Sequence, residues 1–247
     1  MPELEMIILV GVTFLLAGTV KGIIGLGLPV ISLAILAPTI GLKEAMAVMI
    51  IPCFITNIWQ AFTGGNLTRI VKRIWPLLLT SIATIWLGVT LLAGLDTRLL
   101  TAFFGLLLSL YSGFSLARPQ IPPPGEWEPY ASPLVGAISG FTFGLTGSYM
   151  IPGVLYIQAL GMQRDMLVQT LGIIFLVITG TLGISMNRHD LLPADLGLLS
   201  ATALLPTAAG IAIGLKIRHR ISEEQFRRVF FSALLLIGVY MILRSVI

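Results

Sequence analysis

Long apolar runs, separated by short polar or glycine- and proline-rich breaks, fill the chain. They fall at residues 6–20, 28–37, 45–62, 74–93 and 99–116, then at 134–143, 149–160, 166–186, 194–215 and 226–246. They are long and do not alternate with period two, so helices are predicted and a membrane β-barrel is excluded. Six of the runs approach the roughly 20 residues that a membrane-crossing helix needs. The runs at 28–37, 134–143 and 149–160 are only half that. At about 1.5 Å per residue each covers roughly half of a bilayer core. Short, glycine-interrupted segments in matching places of two halves suggest discontinuous or re-entrant helices, and they point to a transporter site.

The two halves do match. Gly22 aligns with Gly140, Gly25 with Gly144, Gly41 with Gly161, Met46 and Val48 with Met166 and Val168, Gly88 with Gly214, and Phe104 with Phe230. The chain therefore reads as a first transmembrane repeat at 1–117, a linker at 118–132 and a second transmembrane repeat at 133–247. Between residues 118 and 133, six of sixteen residues are proline (119, 122, 123, 124, 129 and 133), which predicts an extended, poorly helical connection. The predicted fold class is an all-α polytopic membrane protein. Each of its repeats has a short Gly-rich helical hairpin followed by three long transmembrane helices.

Composition sharpens this. The 247 residues are 56% hydrophobic and only 11% charged, against roughly 25% charged in a soluble domain, and mean hydropathy is +0.98. A soluble enzyme, a nucleic-acid module and a disordered regulator are excluded. The lone Cys53 leaves no internal disulfide or cysteine cluster. His189 and His219 both sit in charged loops, so no histidine-based metal or haem site is expected inside the membrane. The acidic start, Met1-Pro2-Glu3-Leu4-Glu5, is unlike a cleavable signal peptide.

Net charge is +4, and the cations set topology rather than bind nucleic acid. If each hairpin makes no net crossing, each repeat crosses an odd number of times and the repeats are inverted. Arg69, Lys72, Arg73, Arg118, Arg164, Lys216, Arg218, Arg220, Arg227 and Arg228 then share one side. Lys43, Arg98, Arg188 and Arg244 share the other. The positive-inside rule puts the richer side, with the linker, in the cytoplasm and both termini outside a cytoplasmic (inner) membrane. If each hairpin crossed once, the bias would nearly vanish.

The one ionisable residue outside loops and chain ends is Lys21, beside Gly22, Gly25, Gly27 and Pro29. These glycines discourage a continuous helix, and Pro29 suits the first turn of a new one. Helix N–H groups at such a break form an anion site, with the Lys21 ammonium as charge. A lysine snorkelling from a helix end is the alternative. The second repeat has the same breaks without a lysine. It offers Gly140, Gly144 and Gly147 with the hydroxyls of Ser139, Thr142, Thr146 and Ser148, as oxyanion donors or as ordinary small-residue packing. Asn57, Gln60, Gln158, Gln169 and Thr170 complete the polar set, as lining of a substrate path or as interhelical hydrogen bonds. The eleven carboxylates all lie at loops or helix ends, with Glu44 and Asp165 at equivalent helix starts. No enzyme and no cofactor are expected: there is no buried acid pair, Walker motif or dinucleotide fingerprint.

The duplicated hairpins resemble the TauE/SafE sulfite exporter family of bacterial and archaeal membrane transporters. The segment Val20-Lys21-Gly22-Ile23-Ile24-Gly25-Leu26-Gly27 is similar to its first-repeat signature, and Gly136-Ala137-Ile138-Ser139-Gly140 through Gly147-Ser148 to its second. Many members have Gly-Pro after the second cluster, whereas here Gly147-Ser148-Tyr149 delays the proline to Pro152. The resemblance covers nearly the whole chain. It implies secondary export of sulfite, sulfoacetate or related sulfur-containing anions, with the glycine hairpins as the anion site. An anion channel and a membrane subunit serving a soluble partner are the competing readings. The implied partners are a small anionic substrate and the lipid bilayer, with a homodimer left open.

Overall fold

A computed structural model describes residues 3–117, 121–218, 220 and 222–246. Arg118 and Pro119 of the linker, and His219, lie outside them. Helices account for every regular element among the described residues: α1 Glu3–Ile24, α2 Leu28–Ile40, α3 Leu42–Phe62, α4 Leu67–Gly94, α5 Thr97–Ala117, α6 Glu128–Thr146, α7 Leu155–Ala159, α8 Arg164–Arg188, α9 Ala194–Thr202, α10 Leu204–Ile217 and α11 Glu223–Val246. Seven stretches, with α9 and α10 taken together, are long and apolar enough to cross a membrane. The chain is an all-α polytopic membrane protein.

Two boundaries differ from the sequence expectation. The run at 6–20 belongs to a full-length helix, α1, which continues through Lys21 and Gly22. The linker is only partly extended. Gly125–Trp127 is a 3₁₀ turn, and α6 begins at Glu128 inside the proline-rich stretch and runs 19 residues to Thr146, so the run at 134–143 is not the half-length arm expected. Pro129 takes the first turn of α6, where its missing N–H costs no intrahelical bond.

The helices sort into two compact units that do not follow the sequence halves. Unit 1 is Met1–Pro52, Asp96–Arg118 and Leu191–Ile247, and unit 2 is Cys53–Leu95 and Pro119–Asp190. In unit 1, α1 packs along α10. Gly18 and Gly22, one turn apart, meet Thr207 and Ile211 at backbone distance. A Cβ on Gly22 would stand 2.5 Å from the Ile211 carbonyl oxygen. Gly210 and Gly214 answer from α10, so two small-xxx-small ridges interlock and the helices run parallel.

In unit 2, α6 packs along α4 in the same way. Gly136, Gly140 and Gly144 lie against Leu77, Ser81 and Ile85, again in parallel register. Each unit thus joins the first helix of one sequence half, α1 or α6, to a later helix of the other half, α10 or α4.

Helices from the two sequence halves also meet within each unit, and they run antiparallel. Within unit 1, Gly105 of α5 packs on Gly238 of α11, and Arg227 donates to the Ser115 carbonyl at 2.8 Å. Within unit 2, the end of α3 lies against the start of α8. Gln60 donates to the Val168 carbonyl at 2.8 Å and Gln169 to the Ala61 carbonyl at 2.9 Å. Further along, Phe54 contacts Gly180.

Pro52 inside α3 has no N–H to give the Val48 carbonyl one turn back. The Ser200 hydroxyl of α9 supplies that bond at 2.7 Å and accepts from the Ile51 N–H at 3.2 Å. A defect that would leave a buried carbonyl orphaned, at about 1–3 kcal/mol, is closed by a side chain from α9.

The glycine contacts make a sharp prediction. Gly22→Leu drives a side chain into the α10 backbone and should lower the melting temperature of the detergent-solubilised protein or prevent its recovery as a monodisperse species. Overpacking of this kind costs about 1–3 kcal/mol or more. Gly11→Leu, on the same helix with nothing within 4 Å of its Cβ position, should leave the melting temperature unchanged.

Candidate functional site

Unit 1 carries the first glycine break. Lys21 lies in the last turn of α1 and is 8% exposed. Its ammonium complements the negative end of the α1 dipole. The chain then turns through Gly25 to Gly27, whose φ of 106° is open to glycine and strained for other residues. From there α2 starts at the fully buried Leu28 with Pro29 in its first turn. The Ile31 N–H is taken by the Gly27 carbonyl at 3.0 Å. No side chain caps this helix start, and its first turn holds no acidic residue. A buried, uncapped helix N-terminus leaves donor N–H groups that suit an anion.

Of the three glycines expected to approach an anion here, Gly25 and Gly27 form the break. Gly22 is occupied by helix packing against α10. In unit 2 Gly140 and Gly144 are likewise packed, against α4, while Gly147 (φ 71°) ends α6. Beyond it, Ile151 is extended, the Ile151–Pro152 peptide is cis, and the chain re-enters a helical course that reaches Ala159 through α7.

Hydrogen bonding separates the four candidate hydroxyls. Thr142 donates to the Ser139 carbonyl at 3.0 Å and Thr146 to the Thr142 carbonyl at 2.7 Å. Thr146 Oγ1 also accepts the Ser148 N–H at 3.2 Å. Their protons are committed to the α6 backbone, so neither donates to an anion in this conformation. Ser139, fully buried, has an Oγ with no hydrogen-bond partner. It lies beside Gly153 in the re-entering arm, where an added Cβ would come within 3.0 Å of it. Ser148 is 3% exposed, at the break itself. Of the four, Thr142 and Thr146 are thus bound to backbone carbonyls, and Ser139 is not.

The carboxamides divide as well. Gln60 and Gln169 clasp α3 to α8, and Gln169 Oε1 also accepts the Asn66 N–H at 3.1 Å. These are interhelical bonds. Thr170 donates to the Met166 carbonyl at 2.7 Å. Asn57 is buried, whereas Gln158 is exposed on α7.

Two features escaped the sequence reading. Tyr149, 2% exposed, lies 2.8 Å from Ser81 Oγ. The Ser81 proton goes to the Gly136 carbonyl at 3.0 Å, so the Tyr149 hydroxyl is the donor. Phe143 and Phe175 pack edge-on against its ring. Tyr149, directly after Gly147-Ser148, therefore pins the re-entering arm to α4. The second feature is a clasp at the start of α6. Arg73 binds Glu128 through both carboxylate oxygens, at 2.6 and 2.8 Å, and reaches the Leu160 carbonyl at 3.3 Å. The bond from Arg73 holds the Glu128 carboxyl below the usual carboxylate range, against the opposing effect of burial.

Long apolar helices combined with buried, glycine-broken hairpins are the build of a membrane transporter. The chain matches the family model Sulfite exporter TauE/SafE over residues 10–241 and belongs to that family. It is a multi-pass transporter of the sulfite-exporter class, handling small anions. No curated protein and no solved structure matches it.

Three variants test this arrangement. Ser139→Ala removes a hydroxyl without a partner and should leave the melting temperature unchanged or higher. Ser81→Ala removes the Gly136 bond and strands the Tyr149 hydroxyl, and should cost about 1–3 kcal/mol. The Arg73–Glu128 clasp is half-exposed and should contribute about 0.2–1 kcal/mol. Because the folded carboxyl is the stronger acid, that contribution is complete above the ordinary carboxylate pKa and is lost as pH falls through the depressed folded value. The loss in melting temperature caused by Glu128→Gln should therefore be constant between about pH 6 and pH 8 and shrink only in acid.

Proposed function

We propose that the protein is a secondary transporter that exports sulfite, sulfoacetate or related organosulfonates across the cytoplasmic membrane. The observation that carries this is Lys21, 8% exposed in the last turn of α1, ahead of the glycine break and the buried, uncapped start of α2. Charge comes from its ammonium, and directional bonds come from the N–H groups opening α2. In unit 2, taken by itself, the second hairpin offers the Ser139 and Ser148 hydroxyls. Donors of these kinds recognise compact oxyanions, whose several oxygens each accept charge-assisted bonds.

Inverted repeats are part of the proposal. The antiparallel pairs α5–α11 and α3–α8, each made of equivalent helices, support it, as does the parallel course of α1 with α10 and of α4 with α6. Both termini are then outside, and the linker and the loop before α11 are cytoplasmic. The inside-negative membrane potential alone drives an anion outward, at about 2.3 kcal/mol per charge per 100 mV.

The test is sulfite flux in proteoliposomes, with wild type beside Lys21→Met and with sulfoacetate, taurine, sulfate and acetate as competitors. Saturable flux with counterflow is expected, reduced at least tenfold in the variant. Flux without saturation or counterflow would indicate a channel. Wild-type flux in Lys21→Met would remove the lysine from the site.

A further inference from the structure

Unit 1 holds a second cluster of cations that the hairpin site does not use. The end of α2, the start of α5 and the end of α11 enclose a cavity of about 260 Å³, lined among others by Pro38, Thr97, Arg98, Thr101, Arg244 and Ser245. Arg98 and Arg244 come from different repeats. Among the described residues neither guanidinium pairs with a carboxylate.

Asp96 and Glu44 are the acids nearby. Asp96 Oδ1 accepts the Arg98 backbone N–H at 2.7 Å, capping α5. The Glu44 carboxylate lies against Gly41. Arg244 donates one N–H to the Pro38 carbonyl, which closes the end of α2, and keeps its other donors. The hydroxyl protons of Thr101 and Ser245 go to the Thr97 and Met241 carbonyls at 2.7 and 2.8 Å. The donors that remain are guanidinium N–H groups, whose planar fork fits oxyanions.

We propose that this cavity is an oxyanion site, in which Arg98 and Arg244 together hold one sulfite-, sulfate- or phosphate-type group. The group belongs to a free anion or to a phospholipid headgroup. Only the location of the cavity, at the outer end of unit 1, rests on the proposed topology. Both arginines are exposed, so binding is selective for charge rather than for the shape of the anion.

The experiment uses the full chain, purified in detergent. Calorimetric titration with sulfate is done on Lys21→Met, which lacks the hairpin ammonium, and on the same variant carrying Arg98→Gln and Arg244→Gln. Native mass spectrometry then follows retention of added phosphatidylglycerol by wild type and by the double glutamine variant. If the free anion is the ligand, sulfate binding persists in Lys21→Met and weakens at least tenfold in the triple variant. If a lipid phosphate is the ligand, phosphatidylglycerol adducts of wild type are lost in the double variant. Arg98→Lys with Arg244→Lys, which keeps the charge, should retain part of whichever binding is seen and serves as the folding control. The proposal is overturned if neither sulfate nor phosphatidylglycerol binding responds to the arginines. A failure of sulfite flux would refute the hairpin reading without touching this outcome.

Discussion

Inside a bilayer, every backbone N–H and carbonyl must find its partner within the protein, and each break in a helix puts that balance at risk. This chain keeps two breaks, after α1 and after α6, by pressing the helix that leads into each one against a straight neighbour at glycine. The Ile211 and Ile85 carbonyls stand where a Cβ of Gly22 or Gly144 would be. That closeness seals the leading helix from lipid on one side and leaves the break facing protein. Pro52 obeys the same constraint, with Ser200 in place of the missing donor.

The need for internal partners also explains how the polar side chains are used. Most of the buried hydroxyls and carboxamides described above are spent on backbone carbonyls, either one turn away or on a facing helix. Ser139 is an exception in the second hairpin. Thr13, Thr179 and Ser185 share this state elsewhere in the fold. The uncapped start of α2 is the corresponding exception in the first hairpin.

The sequence exposed much of this and hid a definite part. Apolar run length and Gly/Pro punctuation located the helices and the short arms around α2 and α7, because these are local properties. Helix extents were less legible. The glycine at 22 looks like a breaker by composition, yet α1 passes through it, since its role is set by α10, nearly two hundred residues later. The same holds for Gly140 and Gly144. Gln60 and Gln169 could be told from path-lining residues only once α3 and α8 were paired. Ser81 gave no signal of its own, because its meaning comes from Tyr149. Arg98 and Arg244 read as loop cations until the fold closed one cavity around both.

The interleaving of the units has a consequence for how the chain is made. Unit 2 contains everything it needs once α8 has emerged, so α4, α6 and α8 can assemble while synthesis continues. Unit 1 cannot. After insertion, α1 has only the short α2 beside it, and α5 lacks its main partner, until α10 and α11 follow. For most of translation the glycine face of α1 is offered to lipid, or to any passing helix with a similar groove. The protein is thus completed from the middle outward, and its earliest helix is among the last to be secured.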